Sequence, residues 1–326
     1  DLDKSIYKVL SKYFTHEDMK ISMTFQAKYL GMSPWDCPGP FTILSYIEHA
    51  FGIYHPIGGV HKITESMAKV VEENNGKIIL NKAIKEVLVE NKKVVGVKFE
   101  DDTEDRADTV IMNADFAYAM KNLIPEKHRK SWKDKKIEEA EYSCSTFMMY
   151  LGVNKKYDLE HHNIFFAKDY RENIREIFDK NILPQDPSFY IQNASLTDNT
   201  LAPEGCSTIY VLVPVPNLQK GNIDWNIEKE KYKELVLNQI IKKTNMKDIK
   251  DHIEVERIIT PKDFENNVSI YKGAVFNLAH TLNQMLYLRP HNEFEDINNL
   301  YLVGGGTHPG SGLPTILESG RIVADL

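Results

Sequence analysis

Apolar positions at three-to-four spacing mark helices along this chain, and β-branched or alternating runs between turn residues mark strands. Ile6, Val9, Leu10 and Tyr13 share one helical face. Pro34, Pro38, Gly39 and Pro40 break the pattern, which resumes through Leu44, Ile47 and Phe51. After Pro56-Ile57-Gly58-Gly59 a helix carries Val60, Ile63, Met67, Val70 and Val71 on one stripe, and Gly76 is placed to take a left-handed cap. Strands are expected at Lys77–Leu80, Ala83–Glu90, Val94–Phe99 and Thr109–Met112, the last closing on Asn113 and Asp115. Further strands follow at 145–153, 163–167, 188–194 and 207–215. A helix over 227–244 has Tyr232, Leu235, Val236, Gln239 and Ile240 on its inner face, and a strand over 253–259 and a short helix over 264–268 come next.

The chain closes on a different pattern. Leu300 to Val303 is short and apolar, like a buried parallel strand. Gly304-Gly305-Gly306 then removes every side chain where the chain turns, and Thr307-His308-Pro309-Gly310-Ser311-Gly312 leads into a helix at Leu313 with Pro314 in its first turn. That helix is expected to bury Leu313, Ile316, Leu317, Val323 and Ala324. Its N-terminus offers free N–H groups and the positive end of a dipole, which stabilise negative charge such as a reduced flavin bears. A tight ligand-free turn is the other account. No Gly-Lys-Ser/Thr follows, so this is no P-loop, and Gly310-Ser311-Gly312 lacks the spacing of a nucleophile elbow.

The order of elements implies a mixed α/β (α+β) chain: a large mixed sheet decorated by helices, joined to part of a strand–glycine–helix unit. Four divisions follow: 1–55 helical, 56–115 helix and β-meander, 116–290 a mixed-sheet domain and 291–326 the strand–glycine–helix segment. At 326 residues the chain can bury a large core, and 42% hydrophobic with 27% charged residues is a globular composition. A formal charge of −7 lacks the basic footprint of a nucleic-acid binder. No apolar run reaches the ~18 residues that span a bilayer. Cys37, Cys144 and Cys206 form no CxxC pair, so zinc and a disulfide framework are not expected and a cytoplasmic setting is. The adjacent His161 and His162 should point to opposite faces and make poor joint ligands.

Together, "NLYLVGGGTHPGSGLPTILESGRIVADL", "YHPIGGVHKITESMAKVVEENNGKIILNKAIKEVLVENKKVVGV", "SLTDNTLAPEGCSTIYVLVPVPNL", "HHNIFFAKDYRENIREIFD" and "LYLRPHN" closely resemble the bacterial carotenoid desaturases, the phytoene and diapophytoene (dehydrosqualene) enzymes. The family usually has Gly-Ala-Gly or Gly-Ala-Ser where this chain has Gly304-Gly305-Gly306. The resemblance runs from about Phe14 to the end. It implies FAD as cofactor and removal of two hydrogens from a long polyene hydrocarbon, with hydride passing to the flavin. A carotenoid isomerase or saturase, and a non-catalytic lipid-surface binding module, are the competing readings.

The resemblance implies that Gly304, Gly305, Gly306, Thr307, His308 and Pro309 flank the isoalloxazine and that Gly310, Gly312, Leu313, Pro314 and Thr315 form the following helix start. Pro56, Gly58 and Gly59 would approach from the other side, and Ile84 would lie near the adenine. Lys20 and His16 match charged positions proposed for catalysis, against the alternative of a solvated helical face. Phe14, Phe25, Tyr29, Trp35, Phe41 and Tyr46 either line a polyene tunnel or fill a core. Delivery of such a substrate from lipid implies peripheral membrane contact, with Tyr29 to Phe51, including Met32, Trp35 and Phe41, as the patch or else as a buried helix pair. The family's opening G-x-G-x-x-G turn has no counterpart here, so a fragment is expected that by itself binds FAD poorly and is inactive.

Overall fold

The computed structural model describes residues 3–326; the first two residues of the expected helical segment lie outside it. In chain order its elements are α1 (Ile6–Leu10), α2 (Glu17–Met23), α3 (Ile43–Phe51), α4 (His61–Glu73), β1 (Ile84–Glu90), β2 (Lys93–Phe99), β3 (Glu104–Arg106), β4 (Val110–Met112), α5 (Phe116–Asn122) and α6 (Asp134–Glu139). There follow β5 (Ser145–Val153), β6 (His162–Phe165), α7 (Tyr170–Phe178), β7 (Phe189–Gln192), β8 (Ser207–Val215), α8 (Trp225–Lys243), α9 (Ile249–His252), β9 (Ile253–Ile259), α10 (Pro261–Val268), β10 (Leu300–Leu302) and α11 (Leu313–Asp325). The chain is mixed α/β, as its pattern implies.

Contacts divide it into two compact units. One gathers the chain up to Ser45, Leu80–Cys144 and Phe264–Leu326; the other gathers Tyr46–Ile79 and Ser145–Asp263. The sequence reading placed its divisions after 55, 115 and 290.

In the first unit β1, β2 and β3 form an antiparallel meander. Its first hairpin turns at Asn91 and Lys92, both at positive φ (49° and 61°), the backbone that matches strand twist in a two-residue loop. At Gly96 a Cβ would sit 2.1 Å from the Asp105 carbonyl oxygen, so β3 can approach only a glycine there. β10 pairs parallel with β4, Leu300 opposite Val110 and Leu302 opposite Met112. Buried Val87, Val94, Met112, Phe116, Leu300 and Leu302 share one core.

The second unit is built on a five-stranded sheet of order β6-β7-β8-β5-β9. It is antiparallel at every pairing, whereas a mixed sheet was expected. Phe147, Met149, Leu151, Ile191, Val211 and Val213 bury one face with Trp225, Tyr232, Val236, Leu237 and Ile240 of α8; the helical period identifies Tyr232, Val236 and Ile240, while Leu235 and Gln239 are only half-buried. The alternate residues of the same strands, Met148, Tyr150, Tyr190, Tyr210 and Leu212, form the other face, with Tyr150 opposite Tyr210 and Leu212 opposite both Met148 and Tyr190.

Four local expectations differ from the structure. Lys77–Leu80 joins no ladder, and Ile79 and Leu80 are exposed. Asn75, at φ 62°, takes the left-handed position after α4, while the Gly76 N–H closes back on the Val71 carbonyl at 2.8 Å. The apolar stripe of α4 is exposed at Val60, Met67, Val70 and Val71, and α11 buries Ser319 and Val323 while Leu313, Leu317 and Ala324 stay exposed.

Candidate functional site

β10 ends in the glycine turn, and hydrogen bonds fix its course. The Val303 N–H donates to the Met112 carbonyl (3.0 Å) and the Gly304 N–H to Ser319 Oγ on α11 (2.9 Å). The Thr307 hydroxyl donates to the Gly304 carbonyl (3.1 Å) and the His308 N–H to that of Pro290 (2.9 Å). The His308–Pro309 peptide is cis. Thr315 Oγ1 donates to the carbonyls of Ser311 and Gly312, both at 2.8 Å.

The glycines have a reason that spacing does not show. At Gly306 a Cβ would meet Phe116 Cβ at 2.4 Å and Asn277 Oδ1 at 2.7 Å; at Gly305 it would meet Ser311 Oγ at 2.9 Å, and at Gly304 Asn113 Oδ1 at 2.9 Å. The turn is bare because the protein itself packs against it. What it leaves unclaimed is backbone: among the described residues the N–H groups of Gly305 and Gly306 have no protein acceptor. At α11 the N-cap is Gly312, with no side-chain cap, and the first main-chain bond back to it comes from Ile316. An anion or an electron-rich ring edge fits such a set of donors.

Two buried groups behind the turn escaped sequence reasoning. Arg289 is 1% exposed and donates to four main-chain carbonyls: Nε to Thr307 (3.1 Å), Nη1 to Gln284 (3.3 Å), and Nη2 to Leu278 (3.2 Å) and Gly305 (2.5 Å). His280, 2% exposed, accepts the Ser311 N–H at Nε2 (3.0 Å). Its Nδ1 therefore carries the proton, and that atom has no partner among the described residues. Burial, then the neighbouring Arg289 charge, pushes the imidazole down to about 3, so it is neutral at physiological pH. Gly310, at φ 134°, would bring a Cβ within 2.6 Å of His280 Nε2. The signal in the sequence was "LYLRPHN", whose arginine carries no motif role of its own.

Asp115 caps α5 by accepting from the Tyr118 N–H (2.9 Å), and its other oxygen accepts from Asn277 Nδ2 (2.6 Å). Burial pushes its carboxyl up to about 6. An unfolded aspartate titrates near 3.9. Between those values the folded state holds a proton that the unfolded state has released, so stability declines as pH rises from about 4 to 6. The two-unit shift makes that decline about 2–3 kcal/mol. Asp115→Asn retains the cap and is expected to abolish this part of the decline, as urea midpoints of both proteins across pH 4–7 will show.

The Pro56–Gly59 turn belongs to the second unit. The Gly59 N–H donates to the Pro56 carbonyl (2.9 Å), and Gly58 and Gly59 hold φ of 87° and 98°. Asp198, 2% exposed, organises it. Its Oδ2 accepts from the Gly58 N–H (2.7 Å) and pairs with His55 Nε2 (3.0 Å), while Oδ1 accepts from the Thr200 N–H and hydroxyl. Thr200, His55 and Gly58 hold its carboxyl well below the usual range. His55 contacts the His161 ring at 5.2 Å, and His161 contacts His162 at 4.3 Å. The two adjacent imidazoles thus face each other instead of diverging, because His161 precedes the strand that His162 opens.

The remaining sequence candidates have partners of their own. Ile84 opens β1 opposite Phe99 and packs at the edge of the first unit's core. Lys20 pairs with Glu17 (2.9 Å) and sits over the Tyr7 ring; its pKa is raised by that carboxylate. His16 is exposed at the start of α2. Among the described residues neither forms a hydrogen bond or ion pair with the glycine turn. Of the aromatic set, Trp35 and Phe41 are half-buried and Met32 is buried, while Tyr29 and Tyr46 are exposed.

The sequence pattern of the flavin-containing amine oxidoreductases matches residues 13–326, the span that holds both glycine turns. The chain belongs to that family. It is 52% identical over 323 residues to a 4,4'-diapophytoene desaturase (4,4'-diapolycopene-forming) of Methylomonas sp, covering 99% of this chain and 63% of that protein. It is 37% identical to an all-trans-zeta-carotene desaturase of Myxococcus xanthus (99% and 61%) and 32% identical to a lycopene-forming phytoene desaturase of Pantoea ananas (99% and 66%). The chain thus spans about three-fifths of the length of these relatives. Among solved structures, an oxidoreductase from Methanosarcina mazei superposes with a TM-score of 0.68 at 17% identity, over 99% of this chain and 68% of that one. Wild-type putrescine oxidase does so at 0.61 and 12%, over 100% and 68%. These likenesses support the family's fold. Among the described residues no helix is long and apolar enough to cross a membrane.

Proposed function

We propose that the polypeptide to which this chain belongs is a carotenoid desaturase that uses FAD to remove two hydrogens from a long acyclic polyene precursor. The observation that carries this reading is the uncapped start of α11 beside the bare turn at Gly304–Gly306, in a chain 52% identical to a diapophytoene desaturase.

The residues present fit the cofactor. N–H groups of Gly305, Gly306, Leu313 and Thr315 would hold the electron-rich edge of the ring, and Pro56, Gly58 and Gly59 stay proposed cofactor-binding residues, on a turn that Asp198 fixes. When bound, the flavin supplies the two-electron acceptor for hydride. The chain's own part is to hold an apolar substrate and keep water away. The face of the sheet bearing Met148, Tyr150, Tyr190, Tyr210 and Leu212 offers an aliphatic and aromatic surface suited to a polyene. Lys20 and His16 stay the proposed catalytic charges. On α3, Ile43, Tyr46, Ile47 and Phe51 are exposed, an apolar surface suited to peripheral contact with a lipid bilayer in the cytoplasm.

The test is to purify the full-length polypeptide, record its flavin spectrum, and incubate it with colourless C30 and C40 precursors in lipid vesicles. Red-shifted polyene absorbance is the expected result. A flavin-loaded protein that only isomerises or saturates the polyene overturns desaturation, and a colourless protein that merely binds vesicles overturns the enzyme reading altogether.

A further inference from the structure

Two arginines of the first unit are fully buried, and they are treated differently. Arg129 has a counter-ion, Asp134, at 2.7 Å. Arg289 has none: its four acceptors are all main-chain carbonyls, and among the described residues no carboxylate acts on it. Burial lowers it only to about 10, which leaves it cationic at neutral pH. The neighbouring imidazole, His280, is neutral and cannot compensate it. A buried charge without a partner is costly, and a fold that keeps one has a use for it or a ligand that completes it.

Its orientation says where the charge is directed. Arg289 Nη2 donates to the Gly305 carbonyl, and the N–H of that same peptide belongs to Gly306 and has no protein acceptor among the described residues. A trans peptide points its N–H opposite to its carbonyl. Donation into the carbonyl polarises the N–H outward, because linked hydrogen bonds strengthen one another. Arg289 grips Thr307 as well, so the turn is held from behind at two carbonyls.

We propose that Arg289 is a positioning residue whose uncompensated charge, relayed through the Gly305–Gly306 peptide, favours the anionic reduced form of a flavin bound at this turn. The inference rests on the flavin reading above. It assigns a redox-tuning role to a residue with no direct contact to substrate.

The flavin-loaded full-length polypeptide tests it through the flavin midpoint potential and the Kd for sulfite. Sulfite donates its sulfur lone pair to the oxidised ring and leaves a negative charge there, so it reports local positive potential without any turnover. Arg289→Gln is expected to weaken sulfite binding at least tenfold and to cut the preference for reduced over oxidised cofactor tenfold, about 30 mV for a two-electron couple. Arg289→Lys, which keeps the charge, should stay within about threefold of wild type. Gln284→Glu places a carboxylate on the residue whose carbonyl Arg289 grips, and should shift both readouts in the direction of Arg289→Gln. Flavin-loaded Arg289→Gln with wild-type potential and sulfite affinity overturns the proposal. Should that variant not fold, Gln284→Glu with both readouts unchanged overturns it. A wild-type polypeptide that binds no flavin fails differently, taking down the cofactor reading and this one with it.

Discussion

Gly306→Ala will destabilise the protein by about 3 kcal/mol, at the upper end of what overpacking a core costs. The added methyl would sit 2.4 Å from Phe116 Cβ and 2.7 Å from Asn277 Oδ1. Neither can move aside cheaply. Phe116 is 3% exposed and packs edge-on against Trp132, with centroids 4.9 Å apart. Asn277 donates from Nδ2 to Asp115 and accepts the Leu278 N–H at Oδ1. Gly320→Ala is the control: this glycine is inside α11 with nothing within 4 Å of the added carbon. It should stabilise by up to about 1 kcal/mol through helix propensity and reduced freedom of the unfolded chain. Urea midpoints of the two variants should therefore move in opposite directions. A Gly306→Ala as benign as Gly320→Ala would show that the turn is not held by close packing.

Phe147→Ala should cost about 3–5 kcal/mol, the range for deleting a fully buried aromatic. Phe147 is 0% exposed on β5, the strand that pairs with both β8 and β9. Its ring stacks on Trp225 at 5.8 Å and meets Tyr232 edge-on at 5.2 Å, so its loss leaves α8 facing a void. Trp225 fluorescence during denaturation will register the earlier loss of this unit. A midpoint change worth under 1 kcal/mol would contradict the view that this contact anchors α8 to the sheet.

Residues with a periodic environment were legible in the sequence. β1, β2, β4, β5, β8 and β9 lie where alternation and β-branching put them, and Tyr232, Val236 and Ile240 of α8 are buried as its period selects. Lys77–Leu80 misled because an apolar, β-prone run makes a strand only where a neighbour offers a ladder. The stripes on α4 and α11 misled because amphipathicity says which face is apolar, not what covers it. The glycine turn was legible as a turn, while its reason, contact with Phe116 and Asn277, depends on segments far away in sequence. Arg289, His280 and Asp198 were not legible at all. A buried polar residue has no periodic signature, and its role resides in partners that only the fold supplies.

The parallel pairing of β4 with β10 also bears on how the chain is made. β10 follows every other strand among the described residues, and the first unit draws on three separate stretches. The five strands of the second unit are all synthesised before β10 leaves the ribosome, so that unit can fold on the nascent chain. The turn that bears the candidate site can be assembled only once β10 has been made. Until then β4 waits with an open edge, and premature termination anywhere before Leu300 would release a polypeptide with one half folded and the other unable to close.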